Sequence, residues 1–273
     1  MMLVNGQPQT QINVADRGFQ YGDGLFETIE ILNSQLVFFE QHLQRLIQGC
    51  ERLLFPPLDR QRITEEALHS AKNCSHGILK IIITRGTGGR GYQQPQTIIP
   101  TRVLSRHPFP DYPDSFQKQG INVKLCQQRL ALNPTLAGLK HLNRLEQVLA
   151  RAEWSDLAIQ EGLMRDLNGH VIEGTMSNIF FVTDNKLYTP SLEQAGIAGI
   201  MRGFVLEKAA TLGIECQQGI VTLQTLLAAD EIFMTNSIIG IWAVNQLDAH
   251  VFHKGPLTQQ LHALLTQHKQ QFL

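Results

Sequence analysis

Two lysines sit in surroundings that could turn an ammonium group into a nucleophile. Lys80 lies in the apolar run Ile78-Leu79-Lys80-Ile81-Ile82-Ile83, and Lys140 lies in Leu136-Ala137-Gly138-Leu139-Lys140-His141-Leu142-Asn143. Imine formation with a carbonyl needs the neutral amine. Burial favours that form because it penalises the charged one. Both positions meet the condition and rank evenly on this physics. For either one, a structural lysine that buries its stem and keeps its ammonium in water is the commoner case. A third candidate is Gly86-Thr87-Gly88-Gly89-Arg90-Gly91, which matches G-x-G-x-x-G after a strand-like run. A dinucleotide site would need this loop to open a helix whose first amides hold a pyrophosphate. Here the chain runs into Tyr92-Gln93-Gln94-Pro95 and another apolar stretch, which reads as a wide hairpin loop. Its chemical content is Arg90 and Tyr92, since a guanidinium can grip a carboxylate by two parallel hydrogen bonds. An exposed loop arginine is an equally good reading of Arg90.

The elements that must position these groups follow from periodicity. Residues 2–5 and 25–32 read as strands, 36–39 as a hairpin partner, and 77–84 and 97–105 as two more strands. Leu43, Leu46, Ile47 and Leu54 recur at helical spacing over 40–54, Pro56-Pro57 stops that helix, and 60–73 reads as a second one. Residues 107–120 carry Pro108, Pro110 and Pro113 among polar residues and read as a linker. The expected organisation is a small domain over 1–106 and a larger one over 121–273. In the second part, 121–126, 157–163, 178–182, 231–234 and 238–244 are strand-like. Helices are expected at 142–154, 200–212 and 256–271. The order suits an α+β or pseudo-barrel arrangement better than strict βαβ alternation.

Composition narrows the partners. The chain has 273 residues, 43% hydrophobic and 17% charged, with a formal net charge of −1. Its basic residues are scattered, which argues against a nucleic-acid partner. Cys50, Cys74, Cys126 and Cys216 form no CxxC pair and read as free thiols in a reducing cytosol. No run approaches the roughly 18–20 apolar residues of a membrane helix, and residues 1–10 do not read as a signal peptide. The expectation is a cytoplasmic protein without a metal centre, because no cluster has metal-ligand spacing.

The stretch Ala137-Gly138-Leu139-Lys140-His141-Leu142-Asn143-Arg144-Leu145-Glu146-Gln147 resembles the cofactor-lysine segment of the fold type IV pyridoxal-phosphate enzymes. About thirty residues on, Val171-Ile172-Glu173-Gly174-Thr175-Met176-Ser177-Asn178-Ile179-Phe180 is similar to the second signature of that group. The resemblance implies a D-amino acid aminotransferase-like fold, with a small α/β domain and a larger pseudo-barrel domain. It also implies a dimer, and pyridoxal 5'-phosphate held as a Schiff base on Lys140. Glu173 would pair with the pyridine nitrogen; on the residues alone it reads as a turn residue. Arg45 matches the family's phosphate-binding arginine; on the residues alone it is a helix-surface arginine. Gly199, Ile200 and Met201 at a helix start, and Thr235 and Asn236 after a strand, match phosphate-contacting places, where free amides would receive an anion.

Three segments resemble bacterial 4-amino-4-deoxychorismate lyase more than the aminotransferases. They are Tyr21-Gly22-Asp23-Gly24-Leu25-Phe26-Glu27-Thr28, Arg85-Gly86-Thr87-Gly88-Gly89-Arg90-Gly91-Tyr92, and the lysine segment itself. Branched-chain aminotransferases usually carry a tyrosine five residues after the lysine, where this chain has Leu145. D-amino acid aminotransferases share the leucine and stay the rival. In the lyase reading Lys140 is the general base, Thr28 assists proton delivery, and Arg90 and Tyr92 hold a carboxylate of 4-amino-4-deoxychorismate. Thr28 is as well read as an ordinary strand residue. A non-catalytic relative is a third reading, which the presence of Lys140, Glu173 and Arg45 together disfavours.

Overall fold

The computed structural model describes residues 1–272. Contacts divide the chain into two compact units. The first is Met1–Pro110 with Leu139–Asn143 and residues 271–272, and the second is Asp111–Gly138 with Arg144–Gln270.

In the first unit the elements are β1 (Met2–Val4), β2 (Gln7–Pro8), α1 (Arg17–Tyr21), β3 (Gly24–Leu32), β4 (Gln35–Leu36), α2 (Phe39–Arg52), α3 (Arg60–Ala71), β5 (His76–Thr84) and β6 (Thr101–Pro108). The strands form one antiparallel sheet in the order β2-β1-β6-β5-β3-β4. Successive side chains of a strand point to opposite faces. Leu25, Glu27, Ile29 and Ile31 of β3 therefore share one face, and Phe26, Thr28 and Glu30 the other. The first set is buried, and α2 packs on β3 with Leu43 and Leu46 in the core.

Three expectations shift here. The hairpin partner expected at 36–39 shortens to β4, because Phe38 turns left-handed (φ 55°) and starts α2. The strand expected at 97–105 is β6, displaced toward the C-terminus. Pro100 has no N–H to enter a ladder, and pairing begins at Thr101 opposite Thr84. One of the crossings between the units falls after Pro110, and the stretch 107–120, expected as a linker, is not irregular throughout. β6 runs on to Pro108, which pairs with Gly77, and a short helix occupies Asp114–Lys118.

That helix, α4, opens the second unit. It is followed by β7 (Ile121–Leu130), α5 (Leu145–Arg151), β8 (Glu161–Asp166), β9 (Val171–Gly174), β10 (Asn178–Thr183), β11 (Lys186–Pro190), α6 (Ile200–Thr211), β12 (Cys216–Gly219), α7 (Leu223–Leu227), β13 (Glu231–Asn236), β14 (Gly240–Leu247), β15 (His250–Val251) and α8 (Pro256–Gln270). The sheet runs β12-β11-β10-β13-β14-β7-β8-β9, with β15 on β14. β14–β7, β7–β8 and β11–β12 are parallel and the other pairs antiparallel. At the far end of this path β9 lies against β10 and β11, and Val171 bridges to Val221, so the sheet curls back on itself as a half-barrel. Ile121, Val123, Leu163, Ile179, Phe181, Met234 and Trp242 fill its core. The helix expected from Leu142 starts only at Leu145, because residues 140–142 are held extended against β3. The strand expected at 157–163 starts at Glu161, after a turn in which Asp156 accepts from the Ala158 amide. Among the described residues no helix is long and apolar enough to cross a membrane.

Candidate active site

The lysine segment is an extra edge on β3. Phe26 N–H donates to the Lys140 carbonyl at 3.0 Å, Leu142 N–H donates to the Gly24 carbonyl at 3.0 Å, and Leu25 bridges to His141. This antiparallel register sets Lys140 opposite Phe26, and directly opposed residues share a face. The Lys140 Nζ lies 4.4 Å from the centre of the Phe26 ring. Lys80 stands opposite Thr28 across the β3–β5 pair, and its Nζ lies 5.4 Å from the same ring. One face of the sheet thus gathers Phe26, Thr28 and both of the lysines that the sequence singled out.

The other face of β3 holds a buried polar cluster. Arg45 Nε donates to Glu27 Oε1 at 2.7 Å, and its Nη2 reaches Oε2. His42 Nδ1 meets Oε2 at 2.6 Å. Burial pushes the Glu27 carboxyl up, but Arg45 and His42 outweigh it and bring it down to about 2. Burial pushes His42 below the usual imidazole range; its Nδ1 donates to the carboxylate, and its Nε2 has no hydrogen-bond partner among the described residues. Arg45 is therefore not a surface arginine. Its guanidinium is aimed by Glu27 through two bonds.

The glycine motif is the β5–β6 connection and opens no helix. Arg90 and Tyr92 are exposed in it, and the Tyr92 ring meets Tyr21 edge-on at 5.6 Å. Sequence reasoning missed what organises this loop. Arg17, only 4% exposed, donates from Nη1 to the carbonyls of Gly91 at 3.0 Å, Gln93 at 3.2 Å and Gly88 at 3.4 Å. Its Nη2 points to the Tyr92 carbonyl at 3.5 Å, and its Nε donates to Asp23 at 2.9 Å. Arg85 donates to the same Asp23 oxygen at 2.8 Å. The available signal was two arginines and two aspartates, Asp16 among them, flanking the glycine-rich segments.

In the second unit Glu173 lies in strand β9, opposite Met164, and not in a turn. It is 3% exposed, and its Oε2 accepts from Ile197 N–H at 2.8 Å. Arg144 contributes a positive charge nearby. The loop before α6 is tied on several sides. Gly138 N–H donates to the Gly196 carbonyl at 2.9 Å, Ala198 N–H to the Gly138 carbonyl at 3.0 Å, and the Asn178 amide to the Ile197 carbonyl at 2.8 Å. Gly199 is the N-cap of α6, and no side chain caps the helix. A Cβ at Gly199 would collide with Asn178 Oδ1. The amides of Ile200 and Met201 thus begin a helix whose N-cap residue supplies no side-chain cap, an arrangement suited to an anion. The hydroxyl of Thr235 donates to the Gly240 carbonyl at 2.7 Å. Asn236 accepts from the amides of Ile238 and Ile239 and donates to the Met176 carbonyl, so its side chain shapes the turn between β13 and β14. Buried Glu161 braces the turn after Glu173 by accepting from Thr175, Met176 and Ser177.

A family model described as amino-transferase class IV matches residues 24–247. The chain belongs to that family. The aminodeoxychorismate lyase of Vibrio harveyi is 38% identical over 265 residues, covering 96% of this chain and 98% of the relative. The crystal structure of 4-amino-4-deoxychorismate lyase from Pseudomonas aeruginosa is 45% identical, with a TM-score of 0.95 and 98% of each chain covered. A putative branched-chain-amino-acid aminotransferase of Methanocaldococcus jannaschii is 29% identical over 261 residues, covering 93% of this chain and 90% of the relative. Class IV enzymes work with pyridoxal phosphate, so the family carries the cofactor with it.

Proposed function

We propose that the chain is an aminodeoxychorismate lyase, which splits 4-amino-4-deoxychorismate into 4-aminobenzoate and pyruvate on the way to folate precursors. The observation that carries the reading is the pairing of residues 140–142 with β3, which sets the Lys140 amine against Phe26 on the face that also bears Thr28. The similarities support a lyase over a transaminase, at 38% and 45% identity against 29%.

The residues fit pyridoxal 5'-phosphate. A lysine amine suits its aldehyde, a buried carboxylate suits a protonated ring nitrogen, and an uncapped helix start suits a dianion. When bound, the cofactor supplies an electron sink. Glu173 would keep the proton on the ring nitrogen, and Arg45, the amides at Gly199, Ile200 and Met201, and the Thr235–Asn236 segment would hold the phosphate. Lys140 takes the proton from the substrate carbon that bears the amine. The bond to the enolpyruvyl oxygen breaks, its electron pair leaves with that oxygen, and the ring becomes aromatic. Thr28 Oγ1, or a water that it orders, hands a proton to the methylene carbon of the departing fragment, which completes pyruvate. Arg90 and Tyr92 hold a substrate carboxylate. The working form is a cytoplasmic homodimer, as the family's habit and the four unpaired cysteines support. Sedimentation velocity tests the dimer.

The deciding assay gives the reconstituted enzyme 4-amino-4-deoxychorismate and follows 4-aminobenzoate and pyruvate in equal amounts. A parallel assay gives D-alanine or leucine with 2-oxoglutarate and follows glutamate. Efficient transamination without 4-aminobenzoate refutes the lyase. Borohydride should fix the cofactor on the peptide carrying Lys140; label on Lys80 would reverse the assignment.

A further inference from the structure

We infer that Arg17 is a positioning residue: it latches the 86–95 loop and thereby sets the affinity for the carboxylate substrate, without entering the chemistry. The inference rests on the proposed lyase reading, in which Arg90 and Tyr92 of that loop meet the substrate.

The loop has little of its own to hold a shape. Residues 87–94 are all exposed. Gly88 (φ 113°) and Gly89 (φ 78°) take left-handed conformations that add to its freedom when it is released. Backbone freedom of this kind opposes order unless contacts offset it. Arg17 supplies them from one planar group. Its guanidinium faces the carbonyls of Gly88, Gly91, Tyr92 and Gln93, so the loop is wrapped around it. Gly89 permits the close wrap, because a Cβ there would lie 3.2 Å from Arg17 Nη1.

The latch is fixed from behind. Arg17 starts α1, its backbone N–H donates to the Gly86 carbonyl at 2.8 Å, and Asp23 holds its Nε. Its guanidinium lies 5.0 Å from the ring of Tyr21, one helical turn on, and Tyr21 in turn meets Tyr92. An arginine suits this work because its rigid fork presents five N–H groups, whereas a lysine presents a single point charge. With the carbonyls turned inward to Arg17, the loop reaches the substrate already shaped, which lowers the ordering cost of binding.

The test compares holoenzyme carrying Arg17→Met or Arg17→Lys with the parent. Trypsin cleavage after exposed Arg90, followed by mass spectrometry on the native protein, reads loop order. It should quicken about tenfold with methionine and less with lysine, as expected for a released local structure. The KM for 4-amino-4-deoxychorismate should rise about tenfold while kcat stays within about twofold, the pattern of lost uniform binding. Adding Arg17→Met to Arg90→Ala should raise KM no further, since coupled residues are not additive. An unchanged cleavage rate, a kcat that falls with unchanged KM, or additive KM effects would overturn the inference. Should the methionine variant fail to fold, the lysine variant gives the same comparisons. If the parent has no lyase activity, the functional reading falls by itself. The proteolysis rate then still decides whether Arg17 orders the loop.

Discussion

Glu27→Gln removes one charge from the most deeply buried ion pair of the first unit while keeping the shape of the side chain. The carboxylate is 1% exposed and is shared by Arg45 and His42. Its ionisation falls from the usual 4.5 to about 2 in the folded protein, burial notwithstanding. At about 1.4 kcal/mol per tenfold, that drop corresponds to about 3 kcal/mol of stability at neutral pH. Breaking a buried pair by removing one partner costs about 3–5 kcal/mol, which is the same order. For a chain of this size the melting temperature should fall by about 6–12 °C. The assay is calorimetry of the cofactor-free protein, so that cofactor binding does not contribute. The pH dependence follows from the sign. A carboxyl whose folded ionisation is depressed contributes fully above its unfolded value and loses that contribution as pH falls through its folded value. The gap between parent and variant should therefore be constant from pH 5 to pH 8, narrow below about 4.5, and vanish near 2. The companion Arg45→Met should couple strongly, with the double variant far less damaged than the sum of the singles. A gap below about 1 °C at pH 7, or one that persists unchanged to pH 2, would refute the reasoning.

Two further outcomes are expected. Gly199→Ala should weaken cofactor binding at least about tenfold and cost about 1–3 kcal/mol, because its methyl group would displace Asn178 and tilt the start of α6; fluorescence titration of the cofactor and thermal melting measure both. Cys50 and Cys126, whose thiols burial pushes up to about 12, should resist iodoacetamide at pH 8 in the native protein and react on unfolding, as mass spectrometry of alkylated peptides would show.

The long periodic elements were legible in the sequence because periodicity reports burial. β3, α2, β5, α6 and α8 fall within a few residues of expectation. What escaped was decided by pairing between distant segments. β9 has four residues, too few to show alternation, so Glu173 read as a turn. Residues 142–144 looked helical because local spacing cannot reveal that Leu142 N–H is committed to Gly24. Arg17 and Arg85 escaped for another reason. Charged residues are assumed to be solvated, and only the fold shows that Asp23 and a ring of backbone carbonyls replace their water.

The choice between Lys80 and Lys140 shows where composition stops being informative. Both ammonium groups end up over one phenylalanine ring, at 5.4 Å and 4.4 Å, so hydrophobic surroundings could not have separated them. Backbone connections do separate them. Lys80 sits in β5, flanked on both sides by β3 and β6, and its neighbours in sequence serve only that sheet. Lys140 follows Gly138 by two residues, at most about 7 Å of chain. Gly138 is bonded to Gly196 and Ala198, either side of the Ile197 amide that holds Glu173. Lys140 is thus two residues along the chain from a glycine tied into the loop that carries the Ile197 amide, whereas the sequence neighbours of Lys80 are tied only to the strands beside them.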